Sequence, residues 1–433
     1  MTKRNAVVGQ SGGPTAVINQ SLVGVIEEAR KSAHIGDILG ARHGVRGIVK
    51  NDFIRLNDVP DELLERIAMT PAAALGSTRD KPDQEYCRRI FESFQKNNVG
   101  YFFYIGGNDS ADTARIVNEL ARQAGYELRV FHIPKTIDND LRVHDHCPGY
   151  GSAARYVACA IMGDNLDNRS LPGIKVDVIM GRNAGWLTAA SVLGRKYEGD
   201  GPHLVYVPES PVTPDRLLAD VDAVYRKYGR CLIAASEGMC TPKKVMDKRG
   251  ERYQLWAELA AEDMAARLKP GEDKNLDLEP DDHGNRQLSG SGMLGDFIAG
   301  LIKRELGPKQ PLDDKGKPRK LRVRADTFGY PQRSFVGCMS KVDAKEARLV
   351  GQMAVRYSAD NVDGSVAIRR LPGKRYRIET FLTPLETVAR DTRDLPAEWI
   401  VNGNDISQAF IDYARPLVGP LPEIGSFDEL KQA

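Results

Sequence analysis

The sequence predicts an α/β protein built of two doubly wound lobes, with mostly parallel sheets and an active site in the cleft between them. Three observations lead to this fold class. Strand-like apolar runs alternate with segments of helical spacing, which is typical of parallel sheets. Glycine-rich turns follow several strands, and ligands bind at that edge of such sheets. A second series of strand–helix units follows residue 149, and 433 residues suffice for two or more domains.

Two lobes are expected, each made of more than one stretch of the chain. The first spans 1–148 and is completed by about 332–385. The second spans 149–331 and is completed by the C-terminal segment. Its residues 240–320 are polar and rich in charged side chains over long stretches, and they are interpreted as an excursion or long linker without a catalytic role.

Apolar alternation and helical spacing predict the elements in order. Strands are expected at Asn5–Gly9, Asp37–Ala41, Val99–Ile105, Leu128–Ile133, Val176–Met180, Leu204–Val207, Cys231–Ala235 and, as the last strand, Ser365–Ile368. Helices are expected at Val17–Lys31, Asp83–Lys96, Ala111–Ala124, Gln254–Lys269 and Leu294–Leu306, with another running from Ser152 through Met162. Asp343 and Glu346 suggest a capping box for a helix that ends near Ala359.

Composition narrows the class of protein. Lys+Arg is 61 against Asp+Glu 59, so net charge favours neither nucleic acid nor a membrane surface as a partner. No apolar run approaches the ~20 residues that span a bilayer. The 6 cysteines are scattered without a C-x-x-C pair, which favours reduced thiols and a cytoplasmic protein without a signal peptide. The stretch 144–147 (His-Asp-His-Cys) is interpreted as a polar loop, because a second ligand pair at zinc-site spacing is missing.

The chemistry centres on the loop 134–140, which follows a predicted strand and carries Lys135 and Asp138. In such a setting a carboxylate can act as a general base while a lysine neutralises phosphate charge, so the loop indicates a phosphotransferase. Asn108 and Asp109 stand at the second glycine turn, where an acid can hold Mg²⁺ or simply cap a helix. Arg79 is either a phosphate clamp or a solvated arginine.

Seven ordered motifs together resemble the phosphofructokinase family, and the likeness covers most of the chain. They are Gly12-Gly13, Leu75-Gly76-Ser77-Thr78-Arg79, Gly106-Gly107-Asn108-Asp109-Ser110, Thr136-Ile137-Asp138-Asn139-Asp140, Met180-Gly181-Arg182, Ser236-Glu237-Gly238 and Gly329-Tyr330-Pro331-Gln332-Arg333. The resemblance implies Mg²⁺-dependent phosphoryl transfer to the 1-hydroxyl of fructose 6-phosphate, with Asp138 as the general base. The protein is expected to be a homodimer or homotetramer.

The resemblance also implies a role for each matching residue. Donor phosphate would be bound by Gly12, Arg79, Gly107 and Lys135, and metal by Asn108 or Asp109; Asn108 stands where relatives usually carry an aspartate. The residues that would bind the sugar phosphate are Thr136, Ile137, Asp138, Met180, Gly181, Arg182, Glu237, Tyr330 and Arg333, and Arg324 of the same or a neighbouring subunit would reach its 6-phosphate.

Two positions imply the phosphoryl donor. Nucleotide-using relatives carry glycine where this chain has Asp109 and Lys135. A carboxylate at Asp109 would oppose the α-phosphate of ATP, and Lys135 would neutralise the phosphate that leaves pyrophosphate, so a reversible pyrophosphate-dependent reaction with Asp109 and Lys135 in the catalytic site is expected. Val23 and Glu27 replace two effector-binding arginines of allosteric relatives. Gly173 replaces a sugar-phosphate arginine, for which Lys175 is a candidate substitute.

Three other functions remain open on these residues. An ATP-dependent or mixed-donor member of the family is the nearest alternative, because Asn108 shows that the donor site varies. A non-catalytic subunit that only binds phosphosugar has no need of Asp138, Lys135 and Arg182 together. A dinucleotide-binding oxidoreductase is disfavoured, since G-x-G-x-x-G does not follow the first strand.

Overall fold

The computed structural model describes residues 3–247, 250–267, 291–360, 362–389, 391–427 and 429. The chain divides into two compact units, each assembled from separate stretches. Unit 1 comprises Met1–Ala153, Arg333–Arg393 and Pro416–Gly419, and unit 2 comprises Ala154–Gln332, Asp394–Arg415 and Pro420–Ala433.

The elements alternate as an α/β protein requires. The strands are β1 Arg4–Gln10, β2 Ile35–Ala41, β3 Phe53–Arg55, β4 Val99–Gly106, β5 Arg129–Pro134, β6 Ile174–Ile179, β7 Leu204–Tyr206, β8 Cys231–Ser236, β9 Cys240–Asp247, β10 Gly250–Leu255, β11 Val323–Thr327, β12 Gly364–Arg370, β13 Ile378–Thr383, β14 Ile400–Val401 and β15 Asp405–Ile406. The α-helices are α1 Ile18–Lys31, α2 Val45–Lys50, α3 Asp61–Ala68, α4 Gln84–Lys96, α5 Asn108–Gln123, α6 Tyr150–Ser170, α7 Trp186–Ala189, α8 Pro214–Tyr228, α9 Trp256–Arg267, α10 Met293–Leu306, α11 Pro331–Ser334, α12 Lys341–Tyr357, α13 Leu385–Val388 and α14 Gln408–Val418.

Unit 1 is built on a 7-stranded sheet in the order β13-β12-β5-β4-β1-β2-β3. Its inner strands run parallel, and the antiparallel strands β3 and β13 close the two edges. Chain order reverses at β1, which pairs with β2 on one side and β4 on the other. In a doubly wound sheet such a reversal opens a crevice at the carboxyl ends of the strands, where ligands bind.

Unit 2 is built on a 4-stranded parallel sheet in the order β11-β6-β8-β7. All six residues of β6 and all six of β8 are buried, as expected for parallel strands covered on both faces. The predicted α/β class with mostly parallel sheets is confirmed.

Residues 240–320 contribute more to unit 2 than the predicted linker would. β9 and β10 form an antiparallel hairpin, so the helix predicted from Gln254 begins only at Trp256. Trp256 and Ile298 are fully buried in the core of unit 2. Apolar residues every three to four positions along α10 provide that packing. The predicted end of the first helix, Lys269, and the polar stretch after it lie outside the described residues.

Three other predicted boundaries were wrong. The helix expected to end at Met162 continues to Ser170. The helix expected from Asp343 is capped by Ser340, whose side chain accepts from the Asp343 N–H, so Asp343 lies one turn inside the helix. Ser365–Ile368 is not the last strand, because β12 continues into an antiparallel pair with β13. All three differences concern where an element begins or ends, which local patterns define least sharply.

No helix within the described part of the chain is long and apolar enough to cross a membrane.

Candidate active site

Three neighbouring parallel strands of unit 1 carry the donor-site motifs at their carboxyl ends. β1 leads into Ser11-Gly12-Gly13, β4 into Gly107-Asn108-Asp109, and β5 into Lys135 and its loop. The main chain joins them, since the Ser11 N–H donates to Ile105 O at 2.9 Å and the Lys135 N–H to Gly106 O at 2.9 Å. Motifs separated by about 130 residues are thus placed side by side by strand order.

The second glycine turn is the one that forms a helix N-terminus. Gly107 is the N-cap of α5, and its carbonyl oxygen accepts from the Ser110 and Ala111 N–H groups. The N-terminus of this 16-residue helix carries a partial positive charge, which suits a phosphate.

The first glycine turn works differently from the sequence-based expectation. α1 begins only at Ile18, and the Gly12 N–H donates to Thr78 O at 2.9 Å, so this amide is bonded within the protein. Gly12 has φ +76, and a Cβ there would lie 2.9 Å from Lys135 Nζ. A Cβ on Gly13 would lie 3.3 Å from the Arg333 guanidinium. The glycines therefore leave room for two cationic side chains.

Lys135 is the cation at the centre of this group. Its side chain is buried, and Nζ donates to Gly13 O at 2.8 Å. The pKa of Lys135 is lowered to about 8. Burial is the main cause, the Arg333 and Arg79 charges act in the same direction, and Asp138 and Asp140 oppose the shift. Arg79 and Arg333 thus lie close enough to Lys135 for their charges to be felt, as a site for a highly charged anion requires.

The loop after Lys135 places two carboxylates next to each other. The Asp138 N–H donates to Thr136 Oγ1 at 3.0 Å, and Thr136 Oγ1 donates to Asp140 Oδ1 at 3.3 Å. Burial and the neighbouring Asp138 carboxylate raise the pKa of Asp140 to about 7. Like charges this close do not both ionise readily, which contributes to the raised pKa of Asp140. The Ile137 side chain is buried and offers a ligand only its main chain.

The candidate metal ligands open α5. Asn108 Oδ1 accepts from the Asp109 N–H at 2.9 Å, and the Asp109 carboxylate lies 3.1 Å from Lys81 Nζ. The Asp109 side chain is 53% exposed. Both are oxygen donors at the phosphate-binding edge, and they fit a hydrated Mg²⁺, which takes one or two protein oxygens and fills its other positions with water and substrate phosphate.

Unit 2 presents a second group of predicted site residues, at the carboxyl ends of β6 and β8. Met180, Gly181 and Arg182 follow β6, and Glu237 follows β8 with its N–H bonded to Ile179 O at 2.8 Å. Gly181 has φ +139, which only glycine adopts readily, and its carbonyl oxygen accepts from Ser236 Oγ at 2.6 Å. The two turns therefore lock together and hold Arg182 and Glu237 on the same edge of the sheet.

Tyr330 and its neighbours join that edge. The Gln332 side chain accepts from the Met180 N–H at 3.2 Å and donates to Gly329 O at 2.8 Å. This bracket fixes the Gly329–Tyr330 turn beside Met180, and Tyr330 stays 43% exposed. Gln332 was part of a predicted motif but had no assigned role; its bonding pattern is visible only in three dimensions.

Arg324 does not join the other sugar-phosphate residues of its own unit. It lies near the start of β11, paired in register with Lys175 near the start of β6, so it stands at the opposite end of the strands. Its guanidinium lies 3.5 Å from Asp167 and its side chain is 47% exposed.

Lys175 is engaged inside unit 2. Its ammonium lies 3.2 Å from Asp164, 3.8 Å from Asp177 and in contact with Asp326. Hydrogen bonds and charges from these carboxylates outweigh its burial, so the pKa of Lys175 rises to about 12. It neutralises internal acids, which makes it a poor substitute for the arginine that Gly173 replaces.

Comparison with known proteins places the chain among phosphotransferases. Residues 5–357 match the family model described as Phosphofructokinase, and the chain belongs to this family, as its motifs predicted. It is 49% identical over 421 residues to the Pyrophosphate–fructose 6-phosphate 1-phosphotransferase of Rhodospirillum rubrum, covering 97% of this chain and 95% of that protein. The protein of the same name from Halomonas elongata is 35% identical over 430 residues, covering 96% of this chain and 92% of that one.

The chain is also similar to a solved structure of this family. The pyrophosphate-dependent phosphofructokinase from Marinobacter aquaeolei superimposes with a TM-score of 0.78 at 31% sequence identity, covering 98% of this chain and 94% of that chain.

Proposed function

We propose that the protein is a pyrophosphate-dependent phosphofructokinase, which transfers a phosphoryl group reversibly from pyrophosphate to the 1-hydroxyl of fructose 6-phosphate. The observation that carries this proposal is the pair of Lys135 and Asp109 at the ends of β5 and β4. A buried lysine and an exposed carboxylate mark the donor site at positions where nucleotide-using relatives carry glycine. The two relatives named for pyrophosphate at 49% and 35% identity support the same donor.

Asp138 acts as the general base. It takes the proton of the 1-hydroxyl as the oxygen attacks the terminal phosphorus of pyrophosphate, and the bridging P–O bond breaks to release phosphate. Thr136 holds the Asp138 main chain through its hydroxyl, which keeps the base on a fixed loop. Positioned acid–base groups contribute about 10²–10⁴-fold to rate.

Lys135 stabilises the leaving phosphate. Its ammonium lies near two other cationic side chains, Arg79 and Arg333, whose charges lower its pKa. Because the lysine is buried and held by Gly13 O, it meets developing negative charge without reorganisation, the condition under which one electrostatic contact is worth most. Gly107 lets the donor approach the main chain, and Gly12 leaves room for the Lys135 ammonium.

Mg²⁺ would be held by Asp109 or Asn108 together with donor phosphate oxygens. When bound it offsets the charge of pyrophosphate. The residues that would bind the sugar phosphate are Met180, Gly181, Arg182, Glu237, Tyr330 and Arg333. Arg324 would serve its 6-phosphate from a neighbouring subunit of a homodimer or homotetramer. A cytoplasmic location fits substrates of this kind.

The donor assignment is tested by offering pyrophosphate and ATP separately in a coupled assay. The parent protein should use pyrophosphate. Asp109→Gly should admit ATP measurably, because a carboxylate no longer competes with the α-phosphate. Lys135→Gly should raise the barrier with pyrophosphate by ~2–4 kcal/mol, the scale of one preorganised contact. The double variant should use ATP better than either single one, since both residues line one donor site.

Lys81→Ala is the matched control. It removes the ion-pair partner of Asp109 and leaves the carboxylate in place, so ATP should stay excluded. A parent protein that prefers ATP, or a folded Asp109→Gly variant that leaves ATP unused, would assign the donor to other residues. In that case the ATP-dependent member of the family becomes the better description.

A further inference from the structure

Arg393 binds the catalytic loop from a segment more than 240 residues away. Its Nη1 donates to His144 O at 2.7 Å and to Asp145 O at 2.9 Å, and its Nη2 donates to Asn139 O at 2.8 Å. Its own N–H donates to Asp140 O at 2.7 Å. Four hydrogen bonds therefore join Arg393 to residues 139–145, the segment that follows Asp138.

The loop also makes bonds within itself. Thr136 and Gly149 form an isolated bridge at its two ends, and the buried Asn139 has φ +56, an uncommon conformation for a non-glycine residue. Asn139 Oδ1 accepts from the Cys147 N–H at 3.0 Å. Main-chain carbonyl groups that point into such a loop need donors from elsewhere, because leaving them unbonded costs free energy.

The far end of the loop is held separately by α12. Asp343 accepts from the Gly149 N–H and from the Ser152 N–H, each at 2.8 Å. Those bonds fix the start of α6, ten or more residues beyond the base. Arg393, by contrast, bonds Asn139 and Asp140, the two residues that directly follow Asp138.

We propose that Arg393 is a positioning residue for the general base Asp138, acting through the main chain of residues 139–145. Its planar guanidinium spans three carbonyl oxygens at once, which a lysine ammonium with a single nitrogen does not reproduce. This inference rests on the proposed function, because it assigns Arg393 to the geometry of the same base.

The test compares Arg393→Lys and Arg393→Ala with the parent by kinetics and by hydrogen exchange. In Arg393→Lys, kcat should fall about 10- to 100-fold, the effect expected of a small displacement of a reacting group, with little change in KM for either substrate. Arg393→Ala should lose more. Exchange of the main-chain amides in a peptide covering 138–147 should become faster in both variants, without activity being measured at all.

Arg142→Ala is the matched control. Arg142 lies in the same loop and pairs at 2.5 Å with Asp391, two residues before Arg393, but both side chains are more than half exposed and no main-chain group of the loop is involved. This variant should keep the parent kcat and the parent exchange.

Two further outcomes are distinguished by running Asp138→Ala in parallel. An inactive Asp138→Ala variant together with fully active Arg393 variants, or unchanged exchange over 138–147, overturns the positioning role and leaves the proposed function standing. An Asp138→Ala variant with the parent rate refutes the proposed base itself. If Arg393→Lys does not fold, Arg393 serves the stability of unit 1 and the positioning role is rejected.

Discussion

Asp138 is fixed by its own loop. Its N–H is bonded to Thr136 Oγ1, and the adjacent Asp140 carries a pKa raised to about 7 by burial and by Asp138. The two carboxylates are thus held next to each other, and the Asp138 charge contributes to the raised pKa of Asp140.

Replacing the base gives the first residue-scale prediction. Asp138→Ala should lower kcat by ~10²–10⁴-fold, the range for positioned acid–base groups, with substrate affinities changed much less. Steady-state rates with pyrophosphate and fructose 6-phosphate measure it, and Asp138→Asn controls for shape. A variant within about threefold of the parent would assign proton removal to another group.

The ionisation of Lys135 gives the second residue-scale prediction. With its pKa lowered to about 8 by burial, Lys135 loses its charge above that pH in the free protein. We expect kcat/KM for pyrophosphate to decline as pH rises past about 8, and Lys135→Arg to move the decline upward. A profile that stays flat to pH 10 in the parent would contradict this assignment.

The same shift affects stability with the opposite sign. Between the folded pKa of about 8 and the ordinary value of 10.5, the unfolded chain holds a proton that the folded chain has lost. This group therefore adds to the free energy of unfolding as pH rises through that window, while activity falls.

At the scale of elements, α1 and α12 of unit 1 approach closely because each has a glycine at the crossing. A Cβ on Gly24 would lie 2.2 Å from Arg348 O, and one on Gly351 would lie 2.2 Å from Ser21 O. Beside this crossing, the Glu27 carboxylate accepts from Arg348 Nε at 3.1 Å and from Nη2 at 2.9 Å. Glu27 is thus used to bind a neighbouring helix.

The crossing predicts an unusual response to alanine. Gly24→Ala should destabilise unit 1 by about 1–3 kcal/mol, since main-chain atoms of α12 cannot move aside, although alanine is the better helix former. Gly163→Ala in α6 is the control, because nothing lies within 4 Å of a Cβ there. Denaturant unfolding measures both. A Gly24→Ala variant as stable as Gly163→Ala would mean that the helices separate at little cost.

At the scale of the whole molecule, the position of Arg324 bears on the expected assembly of several copies of the chain. It lies at the end of the unit 2 sheet opposite to Arg182 and Glu237, so its predicted contact with the 6-phosphate would have to be made to another copy of the chain. An assembly in which each subunit completes its neighbour's site has a specific consequence for mixtures of variants.

Mixing provides the test. Arg324→Ala and Asp138→Ala subunits, each nearly inactive alone, should recover activity when dissociated and reassociated together, because some sites then combine an intact Asp138 with an intact Arg324. Each variant treated alone is the control. If mixing restores nothing although mixed oligomers form, Arg324 acts within its own subunit or not at all on the substrate.

The sequence alone determined the α/β class, the motifs of the family to which the chain belongs, and eight of the eleven strands in the two main sheets; β3, β11 and β13 were not predicted as strands. Those signals are local. Glycine turns after apolar strands, such as Gly106-Gly107 after β4, are visible without contacts distant in sequence. The errors concern the ends of elements: the Ser340 cap moves the start of α12, the hairpin β9–β10 shortens a predicted helix, and β13 adds a strand after β12.

Only the tertiary structure decided which charges are paired and which residues hold the loop. Lys135 and Lys175 are both lysines near strand ends in the sequence. Lys135 lies beside Arg333 and has a lowered pKa. Lys175 lies among three carboxylates and has a raised pKa. Arg393 carries no sequence signal at all. The burial, charge and hydrogen bonding of a side chain depend on atoms that folding brings together from distant stretches of the chain. The residues adjacent to it in sequence do not define these surroundings.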